Sequence, residues 1–178
     1  MDVFSRLMGR PREITAEELG ALMFEHSLQM ADSLIKQLAD IEQLAELPEY
    51  LENVSWDVVA REALAFAMME ADFVLFQRFG DLPERSRVHK AYQEAYDLLQ
   101  TNMPARVLDA HTLNNRLRAY GETVNSTPDF QSLCFAVGCQ FSDFCGAGKD
   151  AAVMAPATLL FLQNFTAMMK LLNSIKIR

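Results

Sequence analysis

Apolar residues at helical spacing fill the first quarter of the chain, and this pattern constrains the fold more than any other feature. Across residues 19–45 the apolar side chains, together with His26, advance by three or four positions, so that they share one face of an α-helix. Thr15 and Glu18 form a capping box before this stripe, and Pro48 stops it. The pattern predicts a first helix of about eight turns, which needs an equally long partner surface.

Caps, prolines and glycines divide the rest of the chain into further predicted helices. The second, over residues 55–79, is apolar nearly all round and is therefore expected to be the buried central helix. Pro104 is predicted to begin the fourth helix and Thr127 to cap the fifth, with Pro128 as its first residue. Pro156 allows a kink in the sixth. The third to sixth helices are predicted over residues 81–101, 104–124, 129–145 and 150–175.

The size and composition agree with a single all-α domain. The chain has 178 residues, of which 51% are hydrophobic, and this fraction excludes a disordered protein. Its 7 glycines and 6 prolines are too few for a turn-rich β fold. We therefore predict a single-domain bundle of about six helices over residues 15–178, preceded by a short basic N-terminal arm over residues 1–14.

Charge is distributed unevenly along the chain. The formal net charge is −8, and residues 13–72 alone hold 14 acidic side chains against Lys36 and Arg61. Such a segment repels phosphate, so nucleic acid is not expected as a partner. The segment predicts an acidic surface, which either attracts a basic partner or keeps an apolar protein soluble. Residues 1–12 contain three arginines, which would attract an anionic membrane surface. Weak contact with such a surface therefore stays open as an alternative.

Cysteine usage and hydropathy bear on the cellular compartment. Cys134, Cys139 and Cys145 are odd in number and form no Cys-x-x-Cys pair, which is unusual for a small secreted domain. No signal peptide is recognised, and the longest apolar run, residues 151–162, is shorter than the roughly 18 residues that a membrane span requires. The sequence therefore predicts a cytoplasmic protein without a transmembrane segment.

No pattern of residues in the sequence indicates a reaction. The histidines form neither Glu-x-x-His nor His-x-x-x-His, so a metal site on helices is not expected. The cysteines lack the four converging ligands of a zinc site. Residues 146–150 match a phosphate loop only superficially, because Asp143 and Asp150 replace its first glycine and its magnesium-binding hydroxyl. No catalytic residue, metal or cofactor is predicted.

Two polar side chains on apolar helix faces are the best candidates for a binding site. His26 lies on the stripe of the first helix, and Glu70 lies in the most apolar part of the second. A carboxyl group buried there must be paired, hydrogen-bonded or protonated. The chain also holds 10 Met and 12 Phe, which fill core gaps or line apolar pockets. The predicted ligand-binding residues are His26, Met30, Phe66, Met69, Glu70, Phe73 and Phe161.

Three functions remain open on the sequence. The favoured one is a non-enzymatic interaction or regulatory module that self-associates as a homodimer or other homo-oligomer, or binds another protein. It rests on the long first helix and the acidic segment. The first alternative is a bundle that binds a small apolar ligand in a Met- and Phe-lined cavity between the apolar second and sixth helices. The second alternative is an enzyme that uses Glu70 with His26 or a cysteine.

Overall fold

A computed structural model describes residues 12–44 and 54–178 and confirms the all-α bundle. A 3₁₀ turn, Pro104–Arg106, lies between the third and fourth α-helices, and two short strands, β1 (Arg12–Ile14) and β2 (Ile175–Ile177), lie at the ends of the described chain. The six α-helices of this part of the chain are α1 (Ala16–Leu44), α2 (Trp56–Phe79), α3 (Pro83–Asn102), α4 (Ala110–Ser126), α5 (Phe130–Phe144) and α6 (Ala151–Ser174).

Side-chain caps confirm two of the predicted helix starts. Thr15 Oγ1 accepts a hydrogen bond from the Glu18 amide at 3.1 Å, and Glu18 Oε2 accepts one from the Thr15 amide at 2.9 Å. This reciprocal pair is the predicted capping box, and it satisfies two main-chain donors that the first turn leaves open. Asp150 accepts a hydrogen bond from the Ala152 amide at 2.7 Å and so begins α6 as predicted.

One other predicted helix start and one predicted cap were wrong, and in both places an aspartate supplies the cap. Pro104 begins only a 3₁₀ turn, because the chain becomes extended at Val107. α4 begins after Asp109, whose side chain accepts a main-chain N–H at 3.0 Å. Thr127 follows the end of α4, and Asp129 caps α5 by accepting a main-chain N–H at 2.9 Å. An aspartate carboxylate is a strong acceptor for the free N–H groups of a first turn.

α2 is the central helix of the bundle, as its composition predicts. It packs against each of the other five helices, and most of its side chains between Val59 and Leu75 are buried, including Glu62 and Glu70. A helix that is apolar all round is stable in water only where neighbours cover every face. That cover is incomplete beside α3 and α4, where a cleft reaches α2.

The apolar stripe of α1 finds its partner surface within the same chain. α1 packs against α3, α2 and α6. At Gly20 the two helices α1 and α3 approach so closely that a Cβ on this residue would lie 2.6 Å from the Cβ of Ala91. Within residues 16–41 no large apolar side chain is exposed. Over residues 16–41, α1 therefore finds within the same chain the partner surface that its length requires.

The two ends of the described chain meet in a small parallel sheet that the sequence pattern does not reveal. Residues 12–14, predicted as part of the arm, form β1, which pairs in parallel with β2. α6 accordingly ends at Ser174, one residue before its predicted end. Ile14 and Ile175 are buried by this pairing, which supplies the apolar contact that so short a sheet needs. The rest of the arm and the predicted end of the first helix lie outside the described residues.

α6 is longer than the apolar run of residues 151–162 that marks it in the sequence. By length and composition alone its 24 residues could cross a membrane, and within the described residues it is the one helix that could. In the bundle α6 packs mainly against α5, and also against α1 and α2. Its buried side chains include Phe161, Met168 and Pro156, which lies inside the helix. The absence of a transmembrane segment stays a prediction.

Candidate ligand-binding cleft

A cleft of about 490 Å³ lies between α2, α3 and α4. Its volume falls in the range of roughly 300–1,000 Å³ that sites for small organic molecules occupy. Most of the floor belongs to α2, whose apolar side chains are not fully covered by the two neighbouring helices. The apolar part of the lining includes Met68, Met69, Phe73, Leu75, Leu117 and Val124.

Gly121 of α4 contributes to the free volume of the cleft. Apart from its two chain neighbours and the nearby backbone of its own helix, no described atom lies within 4 Å of the position that a Cβ on Gly121 would take. Glycine inside a helix costs about 0.5–1 kcal/mol relative to alanine, and no close helix contact requires glycine here, in contrast to Gly20. The missing side chain leaves space between Leu117 and Val124, which lie one turn to either side.

Polar side chains line the two walls of the cleft. On the α3 wall, Arg85, His89 and Gln93 follow one another at intervals of about one helical turn. On the α4 wall, Asn114 and Asn125 stand near the two ends of the helix. An apolar floor with a few polar groups at its edges is the usual composition of a site for a small organic ligand.

An ion pair joins the floor of the cleft to the α3 wall. Arg85 Nη2 lies 2.9 Å from Asp72 Oδ1, and the guanidinium carbon lies 5.1 Å from the centre of the Phe76 ring. The side chains of Arg85 and Asp72 are 27% and 47% exposed, so the pair adds little to stability. Its structural effect is to hold the guanidinium group in one place at the edge of the cleft.

Glu70 is a second unusual polar group on α2, at the contact with α6. It is fully buried, and within residues 12–44 and 54–178 neither carboxyl oxygen has a hydrogen-bond partner. Burial raises the pKa of Glu70 well above its ordinary value. The neutral, protonated form of the carboxyl group is therefore favoured.

Aromatic side chains occupy the contact between α2 and α6 around Glu70. Phe66 and Phe73, one turn before and after Glu70, have ring centres 6.0 and 6.4 Å from that of Phe161. Phe161 in turn lies 6.2 Å from the ring of Phe165. These rings occupy the space between the second and sixth helices where the apolar-ligand alternative expects a cavity. The observed cleft lies instead beside the third and fourth helices.

The predicted ligand-binding residues do not all belong to one site. Met69 and Phe73 line the cleft. Phe66, Glu70 and Phe161 are buried at the contact between α2 and α6 and do not line the cleft. His26 and Met30 are buried on α1 and do not line the cleft either.

Sequence reasoning missed the part of the cleft that α3 and α4 provide. Arg85, His89 and Asn114 line it only because particular faces of these helices lie against α2, and no local pattern encodes that arrangement. The available signal was Gly121, an isolated glycine in the predicted fourth helix, since such a glycine often has a packing or functional reason.

The enzyme alternative, which uses Glu70 with His26 or a cysteine, stays a prediction; Glu70 and His26 are both buried, on α2 and α1. Burial raises the pKa of the Cys134 and Cys145 thiols, which disfavours the reactive thiolate. In the same part of the chain, no three His, Cys, Asp or Glu side chains are grouped so that they could hold a metal ion.

Cations from residues 73–178 lie beside several acids of residues 13–72. Their N···O distances are between 2.9 and 3.4 Å. The charge asymmetry along the sequence is thus partly balanced in space by the packing of the helices, and a strongly acidic surface stays a prediction. The ion pairs are Glu13–Lys176, Asp32–Arg106, Glu62–Arg116 and Asp72–Arg85.

Comparisons with protein-family models, with curated proteins and with solved structures found no match to this chain. The function is therefore inferred from the cleft and the surface alone.

Proposed function

We propose that the protein binds a small, largely apolar ligand in the cleft between α2, α3 and α4. The observation that carries this proposal is the cleft itself, with a volume of about 490 Å³ and a floor of Met and Phe side chains. Met68 and Met69 stand next to each other in that floor. Methionine is unbranched and polarizable, so it adapts to ligands of different shape.

The packing of the rest of the chain supports a ligand site over the other functions. The apolar stripe of α1 is covered within the chain over residues 19–41, so this part of the helix gives no support to a partner protein. The cleft is instead a place where apolar side chains of the central helix meet free volume. Burial of apolar ligand surface there supplies about 25 cal/mol per Å².

Methionine methyl NMR with 1-octanol as a neutral probe tests the proposal directly. We expect the probe to shift the Met68 and Met69 methyl signals, because these side chains line the cleft. The methyl signals of Met23 and Met168, which are buried elsewhere in the core, serve as internal controls. Native mass spectrometry of protein purified from its own host adds a search for a ligand that co-purifies.

A variant that fills the cleft sharpens the test. In Gly121→Phe the new ring enters free volume between Leu117 and Val124, so we expect binding of 1-octanol to be lost. Gly121→Ala is the matched control, because a methyl group leaves most of the cleft open. Shifts spread evenly over all methionines, or equal binding by both variants, would show that the cleft is not the site.

A second candidate function, self-association, is favoured by an exposed apolar patch on α5 and α6. Phe135, Leu159 and Leu162 are 58%, 55% and 41% exposed. Phe135 belongs to α5 and the two leucines to α6, and these helices pack against each other with Gly138 close to Thr158. Large apolar side chains exposed on two helices that pack together often mark a contact between proteins.

Light scattering during size-exclusion chromatography measures whether this patch joins two copies of the chain. We expect a dimer that Phe135→Ser combined with Leu162→Ser converts to a monomer. Leu98→Ser is the control, because Leu98 is 65% exposed but lies on α3. A wild-type chain that stays monomeric at every concentration overturns this candidate.

A further inference from the structure

We propose that the ligand of the cleft is an amphipathic carboxylate, with its head group at Arg85 and its apolar chain on the methionine floor. The inference rests on the proposed function, since it assigns the chemistry of the ligand to the same cleft. It starts from the position of the guanidinium group, which lies at the boundary between apolar floor and polar wall.

The guanidinium group of Arg85 has more donors than the structure uses. A guanidinium carries five N–H donors in a planar fork, and Asp72 accepts from Nη2. Within the described residues, Nε of Arg85 is itself buried and has no hydrogen-bond acceptor. The side chain nevertheless stays partly exposed, at 27%, where it lines the cleft. A planar acceptor with two oxygens matches this fork.

The electrostatic balance of the lining favours an anionic over a cationic head group. Asp72 is the one carboxylate among the described lining residues, and Arg85 already pairs with it. His89 stands one turn further along the same wall and adds a ring N–H donor. An ammonium head group would meet the guanidinium instead of an unpaired carboxylate, and like charges in such proximity repel.

The ion pair between Arg85 and Asp72 also predicts how substitution of either residue changes the affinity for a carboxylate ligand. Asp72 and a ligand carboxylate compete for the same guanidinium group, which holds the affinity below what Arg85 alone could provide. Asp72→Asn keeps the shape of the side chain and removes the competing charge. This variant is therefore expected to bind the carboxylate more tightly, whereas Arg85→Gln is expected to bind it more weakly.

The experiment compares three eight-carbon probes by methionine methyl NMR: octanoate, 1-octanol and octyltrimethylammonium. We expect octanoate to bind about five- to tenfold more tightly than 1-octanol, as a charge-assisted hydrogen bond at a partly exposed site allows. Arg85→Gln should abolish this preference, so that the variant binds octanoate and 1-octanol equally well. Arg87→Gln is the matched control, because Arg87 lies on the same helix but does not line the cleft.

The outcomes separate this inference from the proposal on which it rests. If 1-octanol shifts the cleft methionines as strongly as octanoate, or if octyltrimethylammonium binds best, the assigned head group is wrong while the cleft remains an apolar site. If no probe shifts Met68 or Met69, both proposals fail. An unchanged octanoate affinity in Asp72→Asn and in Arg85→Gln also overturns the assignment to Arg85.

Discussion

The carboxylate of Glu62 is held by Arg116, whose Nε lies 2.9 Å from Oε1 and 3.1 Å from Oε2. The guanidinium group also covers the ring of Phe144 at 3.9 Å from its centre. Glu70 lies two turns further along the same helix and has no such partner among the described residues. Glu62 is next to α4, which supplies a cation, whereas Glu70 faces α6, whose one basic residue is Lys170.

We predict that removal of Arg116 strongly destabilises the fold. Burial raises the pKa of Glu62 and the hydrogen bond from Arg116 opposes that rise, so Arg116→Leu leaves an uncompensated buried acid. The expected loss is about 3–5 kcal/mol in the free energy of unfolding, measured in urea at neutral pH. Arg118→Gln, on the exposed side of α4, should change stability by about 0.5 kcal/mol or less. A smaller loss in Glu62→Leu combined with Arg116→Leu would identify the unpaired charge as the cause; equal losses would contradict it.

Glu70→Leu should be tolerated or stabilising at neutral pH. The folded-state pKa of Glu70 is raised above the ordinary value of 4.5, so its proton must be lost from a buried site as pH rises. The wild-type chain therefore loses stability as pH rises from the ordinary pKa of glutamate toward the folded-state value, and the variant does not. Urea unfolding across this range should show that the free energy of unfolding of Glu70→Leu exceeds that of the wild-type chain, by a margin that grows with pH to about 1 kcal/mol or more.

Glu70→Gln is the control for the charge, because it keeps the size of the side chain and cannot ionise. It should share the weaker pH dependence of Glu70→Leu without its gain in apolar burial. A loss of several kcal/mol in Glu70→Leu at neutral pH would show that the carboxyl group anchors a polar network, against the absence of hydrogen bonds to it in the described structure.

Two glycines in helices should respond to alanine with opposite signs. Gly121→Ala should stabilise by about 0.5–1 kcal/mol, because the methyl group meets open space and alanine is the better helix former. Gly20→Ala should destabilise by about 1–3 kcal/mol, because its Cβ would lie 2.5 Å from the Val88 carbonyl oxygen. Thermal unfolding of both variants checks the prediction, and shifts of the same sign would show that α1 and α3 are less closely packed.

Asp129→Ala should lower the urea midpoint at neutral pH, because the Asp129 carboxylate caps α5. Hydrogen bonds from the Ser132 amide and hydroxyl lower the pKa of Asp129, so its contribution is present above the ordinary aspartate pKa and disappears as pH falls through the lower folded-state value. Asp143→Ala, near the end of the same helix, is the control and should not reduce stability. Equal effects of the two variants would argue against the cap.

Local chemistry explains why most helix positions were predictable. Thr15 with Glu18, and Asp150, satisfy main-chain donors within three residues of themselves, so their role can be recognised without the fold. The two errors, at Pro104 and Thr127, are also local. In each case a stronger carboxylate acceptor, Asp109 or Asp129, lies within a few residues and takes the cap.

The sequence by itself determined an all-α bundle with a long first helix and a buried central helix, because apolar spacing and caps act over a few residues. Only the tertiary structure decided that Met69 and Phe73 line a cleft while Phe66 and Phe161 pack in the core. An all-round apolar helix carries no periodic signal for which of its faces a neighbour covers. The partners of α2 on each side depend on contacts between distant segments, and those contacts exist only in the folded chain.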